Sequence, residues 1–259
     1  MSLVEKYNQI QEVREKLTKW VQLTQERFSN EDVVYECMAL RGYKTEVMFD
    51  YLNKIQLFKF NTLSNTLIDF ELTNEELEQL GLLRKGKCLL EGMYCVPIKT
   101  IDNKVMAIVG YYPDKRKYIT SPTFGFSKAT SFFGEEHIEY IDKPYVCICE
   151  GIYDTISLQA HGFPALGNQG LDMSVFKSEK LRRYKRIVAI PDSDTAGRKV
   201  NPYYTKGIYE QRNWQIPIDN VFVNFANGIK DVDDYLKQDG VDLEAMHNKF
   251  LTSKYIITL

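Results

Sequence analysis

Three short stretches of this chain put acids directly after apolar, β-prone runs. Tyr145–Cys149 leads into Glu150-Gly151-Ile152-Tyr153-Asp154, and Arg186–Ile190 leads into Pro191-Asp192-Ser193-Asp194. Val221–Phe225 is followed by Gly228-Ile229-Lys230-Asp231-Val232-Asp233-Asp234. In an open parallel sheet ligands gather beyond the carboxyl ends of the strands, so these turns would deliver acids to one rim. An Asp-x-Asp pair in an extended turn projects both carboxylates the same way. Mg²⁺ asks for such hard oxygen ligands, with water and phosphate completing its shell. Two ions can clamp the attacking and leaving oxygens of a phosphoryl transfer. Acids packed this closely repel one another unless cations compensate. The set Glu150, Asp192, Asp194, Asp231 and Asp233 therefore predicts a centre for Mg²⁺ or Mn²⁺. A lone acid after a strand is more often a helix N-cap, and Asp194 and Asp231 singly fit that role. Acid clusters in three such turns are much harder to obtain as independent caps.

The elements that must hold these turns follow from periodicity. Residues 3–28 carry apolar side chains at helical spacing, among them Leu3, Tyr7, Ile10, Val13, Leu17, Trp20 and Val21. Ser29 with Asp32 marks a second helix, stopped by Gly42, and Thr45 to Lys54 a third. Thr73 and Glu76 form a capping-box pair for a short helix ended by Gly81. Met93–Ile98 and Val105–Tyr111 read as an antiparallel pair around Asp102-Asn103. From Tyr145 strands and helices alternate: a helix over Asp154–His161, a strand at Pro164–Leu166, helices over Val175–Tyr184, Thr195–Arg212 and Asp231–Lys237 between and after the strands above. Such alternation implies an α/β domain with a parallel sheet flanked by helices, preceded by a helical and small antiparallel-strand subdomain. The expected divisions are a mostly helical segment 1–90, a mixed strand segment 91–143, the acid-bearing domain 144–240 and a helical tail 241–259.

Composition sets the outer limits. The 259 residues hold 33 basic and 35 acidic side chains, a formal net charge of −2, which excludes a polyelectrolyte and a globally basic coat. Local basic patches stay open. No apolar run reaches the ~18–20 residues of a membrane span, and charges follow Met1-Ser2-Leu3-Val4, so a cytoplasmic protein is expected. The five cysteines, Cys37, Cys88, Cys95, Cys147 and Cys149, form no C-x-x-C pair. They read as reduced core thiols, and no zinc is expected.

Taken together, Glu150-Gly151-x-x-Asp154, Asp192-x-Asp194-x-Ala196-Gly197 and Asp231-x-Asp233 resemble the Toprim signature. Upstream, Met93-Tyr94-Cys95-Val96-Pro97-Ile98 with Asn103-Lys104-Val105 is similar to the opening strands of the DnaG-type primase core. Lys117-Tyr118-Ile119-Thr120-Ser121-Pro122, Phe126-Ser127-Lys128 and Phe132-Phe133-Gly134 look like further segments of that core, as does Leu40-Arg41-Gly42-Tyr43. The resemblance runs from about residue 35 to about 240. It departs from the family at Tyr111, where an arginine is common, at Thr120, where asparagine is usual, and at Ala129 or Thr130, where a further basic residue is usual. It also departs in having no Cys/His cluster for a zinc-binding domain and little sequence after Gly240 for a helicase-binding one.

The resemblance implies a Toprim-type domain and DNA-templated RNA primer synthesis from ribonucleoside triphosphates on single-stranded DNA. Glu150, Asp192 and Asp194 are then the expected catalytic residues, Glu150 for proton transfer or metal organisation. Lys115, Arg116, Lys117, Tyr118, Lys128 and Lys230 are expected at nucleotide or template. A helicase and a zinc-domain protein acting in trans are implied partners, and a phage-like source suits so compact a core. The same acids with water as nucleophile would make a metal-dependent nuclease. A non-catalytic replication accessory that binds single strands is a third reading. Arg182, Arg183, Lys185 and Arg186 sit at the start of their strand, on the rim away from the acids.

Overall fold

The computed structural model describes residues 2–60, 72–112, 117–138, 144–170, 173–194, 219–226, 228–254 and 256–259. They form two compact units, Met1–Phe126 and Ser127–Leu259.

The first unit is built on a long helix and a small sheet. Helix α1 (Leu3–Phe28) opens with the Ser2/Glu5 capping box, in which Glu5 N donates to Ser2 Oγ and Ser2 N to Glu5 Oε2. Helices α2 (Glu31–Arg41) and α3 (Glu46–Lys54) follow, and α4 (Asn74–Gln79) carries the expected Thr73/Glu76 box. Gly42 ends α2 with φ +76°, a left-handed position that a Cβ disfavours. The cap of α2 is Asn30 rather than Ser29, its side chain accepting from Val33 N.

The antiparallel sheet has the order β1 (Phe58–Lys59), β4 (Tyr94–Lys99), β5 (Val105–Tyr112), β6 (Lys117–Thr120). A separate two-residue hairpin pairs β2 (Leu83–Arg84) with β3 (Lys87–Cys88). Val13, Leu17, Trp20 and Val21 bury against Phe58, Phe60, Val105 and Ile108. The apolar stripe of α1 overshoots this core, for Leu3 and Tyr7 remain exposed. A 26-residue helix is about 39 Å long, whereas the eight residues of β5 span about 27 Å.

The second unit carries five parallel strands in the order β11-β10-β9-β7-β8. They are β7 (Tyr145–Cys149), β8 (Ala165–Gly167), β9 (Arg186–Ile190), β10 (Asp219–Asn224) and β11 (Ile256–Thr258). Helices α5 (Glu135–Ile138), α6 (Ile152–Ala160), α7 (Val175–Leu181), α8 (Val232–Leu236) and α9 (Leu243–Thr252) accompany them. All five residues of β7 are buried, because both faces of the sheet are covered. Tyr145, Cys147 and Cys149 join Leu158, Val188, Val221 and Phe250 on one face, while Val146 and Ile148 join Leu166, Ile187 and Phe222 on the other. The cysteines are free thiols, and burial pushes those of Cys95, Cys147 and Cys149 well up. The final residues, expected only as a helical tail, also supply β11 as an edge strand paired with β10. The helix expected over Thr195–Arg212 lies outside the described residues.

Candidate metal centre

The register of the sheet aligns the acid-bearing turns. Cys149 pairs with Ile190 of β9 on one side and with Gly167 of β8 on the other, so Glu150, Asp192 and Asn168 leave the sheet at nearly one level. The Asp192 turn is then fastened to the loop after β10. Ser193 N donates to Lys230 O at 2.7 Å, and Ser193 Oγ donates to Ile229 O at 2.7 Å and Lys230 O at 2.8 Å. That clamp sets Asp192 beside Asp231. Asp231 serves two purposes: its Oδ1 caps α8 by accepting from Asp234 N at 2.8 Å, while Oδ2 faces Lys230 Nζ at 3.1 Å.

Asp154, in the first turn of α6, is the third carboxylate of the group. One oxygen each from Asp154, Asp192 and Asp231 lie within 4.8 Å of one another. This all-carboxylate donor set suits a hard cation of the Mg²⁺ or Mn²⁺ type. Its electrostatics say the same. Burial first, then Asp231, Asp192 and Asp233, push the Asp154 carboxyl well above the usual range. Burial also raises Asp192, joined by Asp231 and Asp194 and opposed by Lys230. Burial lowers Lys230, but its hydrogen bond to Asp231 and the charges of Asp192 and Asp231 more than offset that and push it up. The Lys230 ammonium, 3.5 Å from Asp192 Oδ2, thus stands where positive charge is wanted.

The other expected site residues fall out unequally. Glu150 adjoins the group, and its Oε2 is buried with no hydrogen-bond partner among the described residues. Burial, then Asp192 and Asp194, push its carboxyl up to about 7, against the pull of Lys230. Asp194 is exposed and is not one of the three clustered carboxylates. Asp233 is buried and internally engaged: Ser157 Oγ donates to its Oδ1, and Lys237 Nζ lies 2.6 Å from its Oδ2. Its backbone N–H donates to Asp154 Oδ1 at 3.3 Å, so it braces Asp154. A second group, Asp231, Asp233 and Asp234, also brings one oxygen each within 4.8 Å.

Lys115 and Arg116 lie outside the described residues, and only the backbone of Lys117 is described, at the start of β6. Tyr118 is 44% exposed, its ring 4.9 Å from that of Tyr111 and its hydroxyl accepting from Arg41 at 3.0 Å. Lys128 is exposed on the loop that opens the second unit.

Two participants were not in the expected set. Asp154 stands in the Glu-Gly-x-x-Asp pattern, three residues past Gly151, the spacing that returns a helical side chain to its N-terminal end. Ser193 occupies the variable place of Asp-x-Asp and carries no signal of its own. Gly151 has a part as well, because a methyl group built on it would overlap Asp154 Oδ2. Gly151→Ala is accordingly expected to displace Asp154 and weaken Mn²⁺ binding at least tenfold, read by titration calorimetry. Unchanged affinity would mean that Asp154 is not a ligand.

Residues 147–236 match the Toprim-like family. Solved structures extend the likeness to both units. The DnaG primase catalytic domain bound to ssDNA is 18% identical, with 92% of this chain and 79% of that one covered and a TM-score of 0.71. A DNA primase domain from Pseudomonas aeruginosa is 22% identical over 92% of this chain and 78% of that one, TM-score 0.71. The Aquifex aeolicus primase, comprising zinc binding and RNA polymerase domains, is 21% identical over 96% of this chain and 63% of that one, TM-score 0.69. Comparison with curated proteins gives no significant match. The chain has the fold of the DnaG catalytic core, and the acids of residues 147–236 sit at the carboxyl ends of its strands. Among the described residues no helix is long and apolar enough to cross a membrane.

Proposed function

We propose that this protein is a primase core that synthesises RNA primers on single-stranded DNA with Mg²⁺ or Mn²⁺. The observation that carries the reading is the reach of the structural likeness, which covers 92% of the chain and includes the N-terminal unit. A nuclease using only a Toprim-like domain would not call for that unit.

In this reading Asp154, Asp192 and Asp231 hold the divalent ion, which when bound would neutralise the triphosphate and the charge that develops on it. The 3′-hydroxyl of one ribonucleotide forms a bond to the α-phosphorus of the next, the bond from that phosphorus to the bridging oxygen breaks, and pyrophosphate leaves. Glu150, raised to about 7, is poised to take the hydroxyl proton near neutral pH. Lys230 offers its ammonium to phosphate oxygens once the acids have another counter-charge. Asp233 and Ser193 act through others, holding Asp154 and the Asp192 turn. Asp194, exposed at the edge of the group, is assigned to metal or phosphate-bound water. Lys115, Arg116, Lys117, Tyr118 and Lys128 are assigned to template or nucleotide, with phosphate contacts that weaken as salt rises.

The test is incubation with single-stranded DNA, labelled ribonucleotides and Mg²⁺ or Mn²⁺, repeated with a zinc-domain protein and a helicase supplied separately. Metal-dependent extension products are expected, and Glu150→Gln is expected to lower their rate by at least 10²-fold with the fold intact. Shortened template without extension would instead indicate a nuclease, and template binding without turnover an accessory.

A further inference from the structure

One loop on the acid rim is held with more care than a connection requires. It follows β8, on the far side of Glu150 from Asp192. Asn168 N donates to Cys149 O at 2.8 Å, and Asn168 Nδ2 donates to Gly170 O at 2.7 Å. Lys177 reaches in from α7 to donate to Asn168 O at 2.5 Å and to Asn168 Oδ1 at 2.8 Å. The lysine is almost wholly buried, 5.0 Å from the ring of Phe132, and burial pushes its ammonium down to about 8. A buried cation is a costly brace.

The brace fixes Gln169 in a conformation it would not choose. Its φ is +60°, in the left-handed region. The side-chain amide Nε2 donates to Ser131 O at 3.3 Å, which leaves Oε1 turned the other way. Oε1 is shielded from solvent and has no hydrogen-bond partner among the described residues. Glu150 Oε2, at the end of the adjacent strand, is in the same condition. A buried acceptor without a donor is destabilising, and two of them in the turns that follow adjacent strands β7 and β8, on the rim that carries the acids, imply a ligand that supplies the donors. Gln169 lies about two strand spacings, ~10 Å, from the Asp192 strand. A nucleotide with its phosphates at the acids and its sugar and base running along the rim past Glu150 covers that distance.

We infer that Gln169 is a recognition residue whose side-chain carbonyl accepts a hydrogen bond from a neutral donor, a ribose hydroxyl or an exocyclic amine, of the nucleotide bound at the acid centre. This rests on the nucleotidyl-transfer reading above. An amide carbonyl accepts but carries no charge, so it selects such donors and not phosphates. A site built around a buried acceptor also rejects an analogue lacking the donor.

The test uses the full chain with Mn²⁺ and three probes: ATP, its 2′-deoxy analogue and its 6-desamino analogue. Binding is read by calorimetry, which needs no turnover. The unaltered protein is expected to favour ATP at least tenfold over one analogue, and which one identifies the donor. Gln169→Gly removes the acceptor and relieves the left-handed backbone, so its melting temperature is expected to be unchanged or higher while the preference disappears. Gln169→Asn, which tolerates the same backbone with a shorter reach, is expected to lose it as well. A preference kept in Gln169→Gly would overturn the inference, even if primer synthesis proceeds. A Gln169-dependent preference in a protein that makes no primer would uphold the inference and reject the polymerase reading. No nucleotide binding by the unaltered protein would overturn both.

Discussion

Asp192→Asn is expected to cut metal-dependent primer synthesis by at least 10²–10³-fold, the cost of losing a principal charge-stabilising group, without unfolding the protein. The expectation on stability has the opposite sign from that on activity. Burial and the neighbouring Asp231 and Asp194 hold the Asp192 carboxyl above its usual range, so its charge is a liability when no metal is present. A neutral amide of the same shape removes that liability, and Lys230 keeps its partner Asp231. The metal-free melting temperature should therefore hold or rise, while the gain on adding Mg²⁺ shrinks. For scale, a ligand at a hundred times its dissociation constant contributes about 2.7 kcal/mol. Labelled-nucleotide incorporation and thermal melts with and without Mg²⁺ check both halves. An inactive variant that also melts many degrees lower would place Asp192 among structural residues.

The second large effect concerns pH. Asp154 has its carboxyl raised by burial and by three other acids, and Glu150 is raised to about 7. Carboxyls raised on folding bind protons to higher pH than the unfolded chain does. Their contribution is fully present below the ordinary carboxylate range of about 4 and is lost as pH rises through the folded values. The metal-free protein should thus lose stability as pH rises from about 4 to about 7, where Glu150 titrates, with Asp154 adding to the loss in the same direction, the reverse of an ordinary salt-bridged acid. Mg²⁺ or Mn²⁺ should flatten that slope, and Asp154→Asn should remove a large part of it. Melting temperatures from pH 5 to 8 with chelator and with Mn²⁺ are the measurement. A metal-free curve that is flat, or that rises with pH, would contradict the crowded-acid account.

What could be read from residue order alone was whatever is set by local periodicity and capping. The long α1, the Thr73/Glu76 box, the glycine stops at Gly42 and Gly81, and the strands from Tyr94 to Val221 all depend on neighbours a few residues apart. Of the shortest strands, Ala165–Gly167 was legible within one residue from its place in the strand–helix alternation, but others were not. Phe58–Lys59 and Ile256–Thr258 exist because a distant partner pairs with them, and nothing in their own residues or in an alternation around them marks them. The acid turns were legible as a set because three strand ends repeat one arrangement. The ranking within the set was not. That Asp154 joins Asp192 and Asp231 depends on where α6 starts, and the Ser193 clamp spans 36 residues to the Ile229 carbonyl. Nor does residue order show that Tyr118, expected at nucleotide or template, packs its ring on Tyr111 and accepts a hydrogen bond from Arg41.

The contrast between the two sheets has a kinetic consequence. In the N-terminal unit β4 pairs β5 in a register that joins Tyr94 to Tyr111, a separation short enough for a hairpin to close early. In the other unit Tyr145 pairs with Arg186, and Phe222 with Ile256, so every adjacency but the shortest waits for a long crossover. Nonlocal pairings form slowly because the chain between them must be ordered first. On dilution from denaturant the meander should gain protection against hydrogen exchange before the parallel layer does. Competence to capture Mn²⁺ should then be the last property recovered, since the proposed ligands Asp154, Asp192 and Asp231 come from three segments that only the finished layer brings together.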